Sequence, residues 1–432
     1  MLIGMDKGKE KENMKKFMTI WVGELISNIG SGMTAFALSV YVYQLTGSAG
    51  YVSLVTLLAY MPAILLGPIG GLLADRYDRR LMMILGDLFS GLGLFYMLVQ
   101  IQLGNEGLAP ILIGVTINSV FVALLDPSYK ATVTDLLTEE EYAKASGMVQ
   151  MAGNAKYLLS PAIAGVILGF ADIRLILIID ITTLFVTIFC ASTVRKTLPK
   201  AIERKKTGSF VAEFKEGMGV LFGNKGVLSL VFIMTIVCLF MGVIQTLTVP
   251  MVLAVSDAKI VGFMESLGAI GMLVGSVVIS VLGIKKNYAG ILEFSAVMCG
   301  VFVAFTGMKN HVVWITVMLF LFFATLPFMN TCADVLVRVS IPNELQGRVW
   351  GLISLLSQAG TVIAYATCGV LADYIFEPMF QEEGVLAGSI GRLIGTGTGR
   401  GIGFMLILSG IGIILVAILI GGNSSIRAIE KG

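Results

Sequence analysis

The chain has 432 residues, of which 56% are hydrophobic and only 13% charged, and its mean hydropathy is +0.90. A soluble domain carries about 25% charged residues, so the composition excludes an ordinary water-soluble enzyme and points to hydrocarbon as the solvent. The net charge of +2 says little; the placement of the charges says more.

In chain order, residues 1–16 are a lysine-rich arm (KGKEKENMKK) expected to be solvated, mobile and cytoplasmic. A spanning helix needs about 20 mostly apolar residues. Such stretches occupy 17–43, 51–73, 80–102, 108–131, 144–170 and 173–193, then 226–254, 260–283, 289–308, 312–337, 346–376 and 401–421. The first runs on without a small-residue cleavage site and reads as a span, not a signal peptide. Residues 195–225 are a basic linker that divides the spans six and six. Residues 377–399, rich in glycine with Glu377, Glu382 and Glu383, read as a mobile external loop, and 422–432 as a cytoplasmic tail. In lipid the backbone must satisfy its own hydrogen bonds, so the spans are helices. The expected fold class is all-α integral membrane, with twelve transmembrane helices in two pseudo-symmetric six-helix bundles at 17–194 and 226–421.

Apart from Arg174, Lys259, Lys309, Arg392 and Arg400, and Lys156 within a span, the lysines and arginines fall on one side. That side is cytoplasmic by the bias of basic loops. Both termini are therefore expected inside, with the protein in the cell membrane.

Polar side chains within spans are costly and mark pathways or partners. The first span carries Glu24, Ser27, Asn28 and Ser31 on one helix face. The fifth carries Ser146, Gln150, Gly153, Asn154 and Tyr157, with Lys156 beside them; the seventh carries Cys238, Gly242 and Gln245; the eleventh carries Ser354, Ser357, Gln358, Thr361 and Tyr365. These faces are expected to enclose an aqueous cavity. Its substrate-contacting candidates are Ser27, Asn28, Asn118, Gln150, Asn154, Lys156, Gln245, Asn330 and Gln358. Glu24 and Glu265 are the candidates for binding and releasing a coupling proton. Asp126 with Lys130, and Asp334 with Arg338, are four apart and predict same-face pairs that fix gate geometry. Asp87 and Asp180 are expected to hydrogen-bond to neighbouring helices. Small residues such as Gly268, Gly271 and Gly275 are expected to let helices pack closely.

Catalytic chemistry finds no footing. The single histidine, His311, falls in a loop, the five cysteines lie in apolar stretches without a CxxC pair, and no zinc spacing or Ser/His/Asp set is visible. No enzyme activity, metal, cofactor or nucleic-acid partner is expected, and the chain is expected to be a monomer.

The turn after the second span, Gly71-Leu-Leu-Ala-Asp75-Arg76-x-x-Arg79-Arg80, resembles the signature loop of the major facilitator superfamily, with Asp78 in place of a usual glycine. Asp126-Pro127-Ser-x-x-Ala131 followed by Asp135-Leu-Leu, Ser160-Pro161-Ala-Ile-Ala-Gly165, Ile341-Pro342-x-Glu344-Leu-Gln-Gly347-Arg348 and Gly369-x-Leu-Ala-Asp373-Tyr-x-Phe-Glu377-Pro378 resemble its macrolide-efflux branch. The resemblance implies a secondary transporter working by alternating access. It implies export of an amphipathic drug or metabolite in exchange for protons, in contact with membrane lipids. It also implies a cytoplasmic gate built from Gly71, Asp75, Arg76, Arg79, Arg80, Asp126, Asp334, Arg338 and Arg348, with Asp75 against the start of the eleventh span. Two departures bear on coupling: Asn118 stands where many proton-driven exporters have arginine, and Ser160-Pro161 where the antiporter signature has Gly-Pro. Sodium coupling, a lysolipid or siderophore substrate, and a non-transporting membrane sensor remain the alternatives.

Overall fold

The computed structural model describes residues 2–138, 141–197, 218–219, 221–223, 225–284, 286–341 and 346–422. Among these, twelve helices are long and apolar enough to cross a membrane. Most of the basic linker and all of the tail after Gly422 lie outside the described residues.

The first half contains α1 (Leu2–Thr46), α2 (Ala49–Arg76), α3 (Arg79–Gln102), α4 (Leu108–Leu136), α5 (Tyr142–Leu158), α6 (Ser160–Leu168) and α7 (Ile173–Thr197). The fifth span is broken into α5 and α6 because Pro161 has no N–H to give the preceding turn. Residues 2–16 continue α1 as helical backbone, with Glu12 and Lys16 paired at 2.7 Å across one turn.

The second half contains α8 (Lys225–Leu253), α9 (Ala258–Leu282), α10 (Tyr288–Met308), α11 (Val312–Ser340), α12 (Gln346–Leu371), a π-helical turn at Ala372–Phe376, α13 (Glu377–Met379), α14 (Gly391–Ile394) and α15 (Arg400–Gly422). In place of a mobile loop, residues 377–399 fold against the bundle. Phe380 is fully buried, the Gly397 N–H donates to its carbonyl at 2.9 Å, and Ile394 is buried. Positive φ at Gly395, Gly397 and Gly399 supplies the turns that return the chain to α15.

By its internal contacts the chain divides into two units. Unit 1 is Met1–Val42 with Val55–Lys205; unit 2 is Tyr43–Leu54 with Lys206–Gly432. In unit 1, α3 packs on α4 and α7. In unit 2, α9 packs on α11, α10 on α11 and α15, and α8 on α12 and α15. The α9–α11 seam is as tight as the small residues predict: a Cβ on Gly271 would strike the Phe320 carbonyl, and one on Gly275 the Ala324 carbonyl.

Candidate functional site

In unit 1 the polar face of α1 divides in two. Ser31 and Thr34 turn to α7, where both hydroxyls donate to the Asp180 carboxylate, at 3.4 and 2.6 Å. Thr183 donates to the same carboxylate at 3.5 Å, and Asp180 is 2% exposed. Asp180 thus has the interhelix bonds expected of it. Asp87 does not: it is 1% exposed on α3, and neither carboxyl oxygen has a hydrogen-bond partner among the described residues. The expectation of a bonded Asp87 is corrected here. Its neighbours in α3 and α4 satisfy one another instead: the Ser90 hydroxyl donates to the Asp87 carbonyl and Asn118 Nδ2 to the Ser90 carbonyl at 3.2 Å.

Glu24 is buried on α1. One oxygen accepts from Asn28 Nδ2 at 3.2 Å, and Oε2 has no partner among the described residues. Asp126 and Lys156 are the charged side chains that act on it. Ser27 is buried, Asn154 and Lys156 are half-buried, and Gln150 is exposed. Trp21 Nε1 donates to the Met148 carbonyl at 2.6 Å, and Ser160 Oγ to the Ile29 carbonyl at 2.9 Å. These bonds hold α5 and α6 against α1, so the polar positions of the first and fifth spans share one region of unit 1. Asn118 is committed to α3.

The turn between α2 and α3 is tied to its own unit. Arg79 donates to the Ala74 carbonyl, to the Ala131 carbonyl at 2.9 Å and to Asp135 at 2.8 Å. Asp78 caps α3 through the Arg80 N–H and accepts from Arg195 Nε at 2.8 Å. Burial alone would raise the Asp78 carboxyl. The Arg195 hydrogen bond, the Arg80 N–H and both positive charges outweigh it and bring Asp78 below its ordinary 3.8. Arg80 is buried, with Nε unpartnered among the described residues, Arg76 is exposed, and Gly71 is half-buried. The side chains of Asp75 and Arg348 lie outside the described residues. Asp126 pairs with Lys130 at 2.7 Å on α4.

In unit 2 the polar positions of the seventh and eleventh spans meet. Tyr365 donates its hydroxyl to Gln245 Oε1 at 2.8 Å, joining α12 to α8. Thr361 Oγ1 lies 3.3 Å from the Cys238 carbonyl and from Gln358 Oε1. Gly242 lets the helices close, since a Cβ there would press on Ala364 and the Thr361 backbone. Gln358 and Asn330 are exposed side chains, and Asp334 pairs with Arg338 at 2.8 Å. Glu265 is half-buried on α9 and makes no hydrogen bond or ion pair among the described residues.

Two carboxylates of unit 2 have a role that charge placement did not reveal. Asp373 meets the first turn of α2, and Glu377 accepts from the Gly399 and Ile402 N–H groups at 3.0 and 2.9 Å, capping α15. Beside it Arg400 is buried and donates to the Ile394 carbonyl at 2.7 Å. A carboxylate brought to the first turn of a helix from a distant part of the chain has no periodic signal in the sequence.

The comparisons with known proteins agree with this architecture. The chain is 27% identical over 376 residues to macrolide efflux protein A of Streptococcus pyogenes, covering 83% of this chain and 90% of that protein. It is 23% identical over 375 residues to the uncharacterized MFS-type transporter YfiS of Bacillus subtilis, covering 84% and 88%. Among solved structures it resembles a bacterial homologue of the iron transporter ferroportin in an inward-facing state, at TM-score 0.71 and 13% identity over 95% of this chain and 98% of that one. It also resembles a D-xylose–proton symporter, at TM-score 0.68 and 14% identity over 95% and 97%. The family profile described as Major Facilitator Superfamily matches residues 20–365, so this twelve-span chain, with its charged α2–α3 turn, belongs to the major facilitator superfamily and is a membrane transporter.

Proposed function

We propose that the protein exports an amphipathic, drug-like solute across the cell membrane in exchange for protons, by alternating access, with both termini in the cytoplasm. Likeness to macrolide efflux protein A along most of both chains supports the substrate class. The basic α2–α3 turn supports the orientation.

The observation that carries the coupling is Glu24, a carboxyl inside a span with one oxygen held by Asn28 and the other bare. Such a group can take up and release a proton without first breaking an ion pair, and it lies near the half-buried Lys156. The polar seam of α8 and α12, with Gln245, Tyr365 and Gln358, gives unit 2 its hydrogen-bonding surface for the solute.

The test is uptake of a labelled macrolide into inverted vesicles under an imposed pH gradient, inside acid. Accumulation that collapses with a protonophore supports the reading. Accumulation driven only by a sodium gradient replaces the coupling ion, and no gradient-dependent accumulation of macrolides or amphipathic dyes overturns the proposal.

A further inference from the structure

Lys156 stands at the middle of the fifth span, Ala145–Leu168, in the last turn of α5. Its backbone is pressed against α1: a Cβ on Gly32 would lie 2.7 Å from the Lys156 carbonyl. Its ammonium makes no hydrogen bond or ion pair among the described residues, yet the nitrogen is not sealed off and keeps accessible surface. The acids its charge reaches are Glu24 on α1 and Asp180 on α7. Neither pairs with it. Asp180 is held by the hydroxyls of Ser31, Thr34 and Thr183, and Glu24 is held through one oxygen by Asn28. An unpaired ammonium halfway through a span is too costly to face lipid, so it borders a space that water or a solute enters.

The surroundings of that space are aromatic as well as polar. Tyr157 is 50% exposed, and its hydroxyl is hydrogen-bonded to that of Tyr60 on α2. The bond occupies the polar tips of both side chains and leaves their rings as an apolar surface. Asn154 and Gln150 stand one and two turns before Tyr157 on the same face of α5. Lys156 is one position off this face, and its charge still acts on Tyr157. All of these residues belong to unit 1. A free cation beside two linked rings matches a molecule with a flat apolar body and an anionic end.

We infer that the solutes of this transporter include acidic amphiphiles, whose carboxylate is held by the Lys156 ammonium while the apolar body lies on the Tyr60 and Tyr157 rings. A lysine–carboxylate hydrogen bond carries charge on both partners and is among the stronger ones. The inference deepens the export reading above and rests on it for the solute's passage, and the test separates the two.

Pyrenebutyrate and its uncharged methyl ester serve as probes. Their binding to the purified full-length protein in lipid nanodiscs is read by energy transfer from tryptophan to pyrene, with empty nanodiscs subtracted. The wild type is expected to bind the acid more tightly than the ester. Lys156→Gln should weaken the acid about tenfold, as loss of a hydrogen bond to a charged group implies, and the ester far less. Lys156→Arg should keep the preference for the acid, and Tyr157→Leu should weaken acid and ester alike. Equal binding of acid and ester by the wild type overturns the inference, as does an undiminished preference in Lys156→Gln. Tyr157→Leu binding both probes as the wild type does overturns the ring contact. Should Lys156→Gln fail to accumulate, Lys156→Met, which keeps the apolar stem, carries the same comparison. Macrolide accumulation in vesicles without any acid preference in nanodiscs overturns this inference alone; acid preference without gradient-dependent accumulation of any solute overturns the export reading alone.

Discussion

Arg195 Nε and Asp78 Oδ2 are 2.8 Å apart although 117 residues separate them in sequence. The pair ties the end of α7 to the turn that begins α3. Both side chains keep solvent access, which limits the pair to about 0.5 kcal/mol. Because the folded protein holds Asp78 below its ordinary 3.8, this contribution is complete above that value and is lost as pH falls through the lower folded one. Melting of purified protein from pH 6 down to pH 3 should show a step that Asp78→Asn removes. An identical pH profile in that variant would show that Arg195 does not act on it.

Thr34 and Asp87 should behave oppositely. Removing the Thr34 hydroxyl leaves the buried Asp180 carboxylate short of its closest donor, a loss of about 1.5–3 kcal/mol for a bond to a charged group. Thr34→Val should therefore lower the melting temperature well beyond Thr182→Val, whose exposed hydroxyl bonds only to its own helix.

Asp87→Asn replaces a buried carboxyl that has no partner to lose. Burying an unpaired carboxylate is costly, so this variant should melt no lower than the wild type, whereas Asp180→Asn should melt lower. A large destabilisation by Asp87→Asn would reveal a partner that the structure does not place beside it.

Glu24→Gln keeps an acceptor for Asn28 and removes the titrating group. Folding and binding of a macrolide should persist, while accumulation driven by a pH gradient disappears. Vesicle flux with the same pH dependence as the wild type would take Glu24 out of the coupling.

Glu377→Ala strips two backbone donors at the start of α15 of their acceptor and removes the carboxylate whose charge acts on the buried Arg400. The caps alone are worth about 1–2 kcal/mol. The melting temperature should fall, and hydrogen exchange should accelerate at Gly399 and Ile402 before it does elsewhere in α15. Uniform acceleration along α15 would argue against a local cap.

Hydropathy and helical periodicity made much of this protein legible before any coordinates. A spanning segment must be long, apolar and internally hydrogen-bonded, so span positions follow from local composition. The rhythm of Gln358, Thr361 and Tyr365 likewise marks one face of one helix. Which face meets which is not a local property. That Tyr365 finds Gln245, that Asp180 gathers three hydroxyls while Asp87 gathers none, and that Asp373 reaches the first turn of α2 depend on how distant helices cross. The same holds for residues 377–399, whose glycines suggest freedom in isolation and become fixed turns once Phe380 and Ile394 have a bundle to bury against. Composition decides what a segment dissolves in; only packing decides which buried polar group is satisfied, because each such bond needs a partner supplied by another helix.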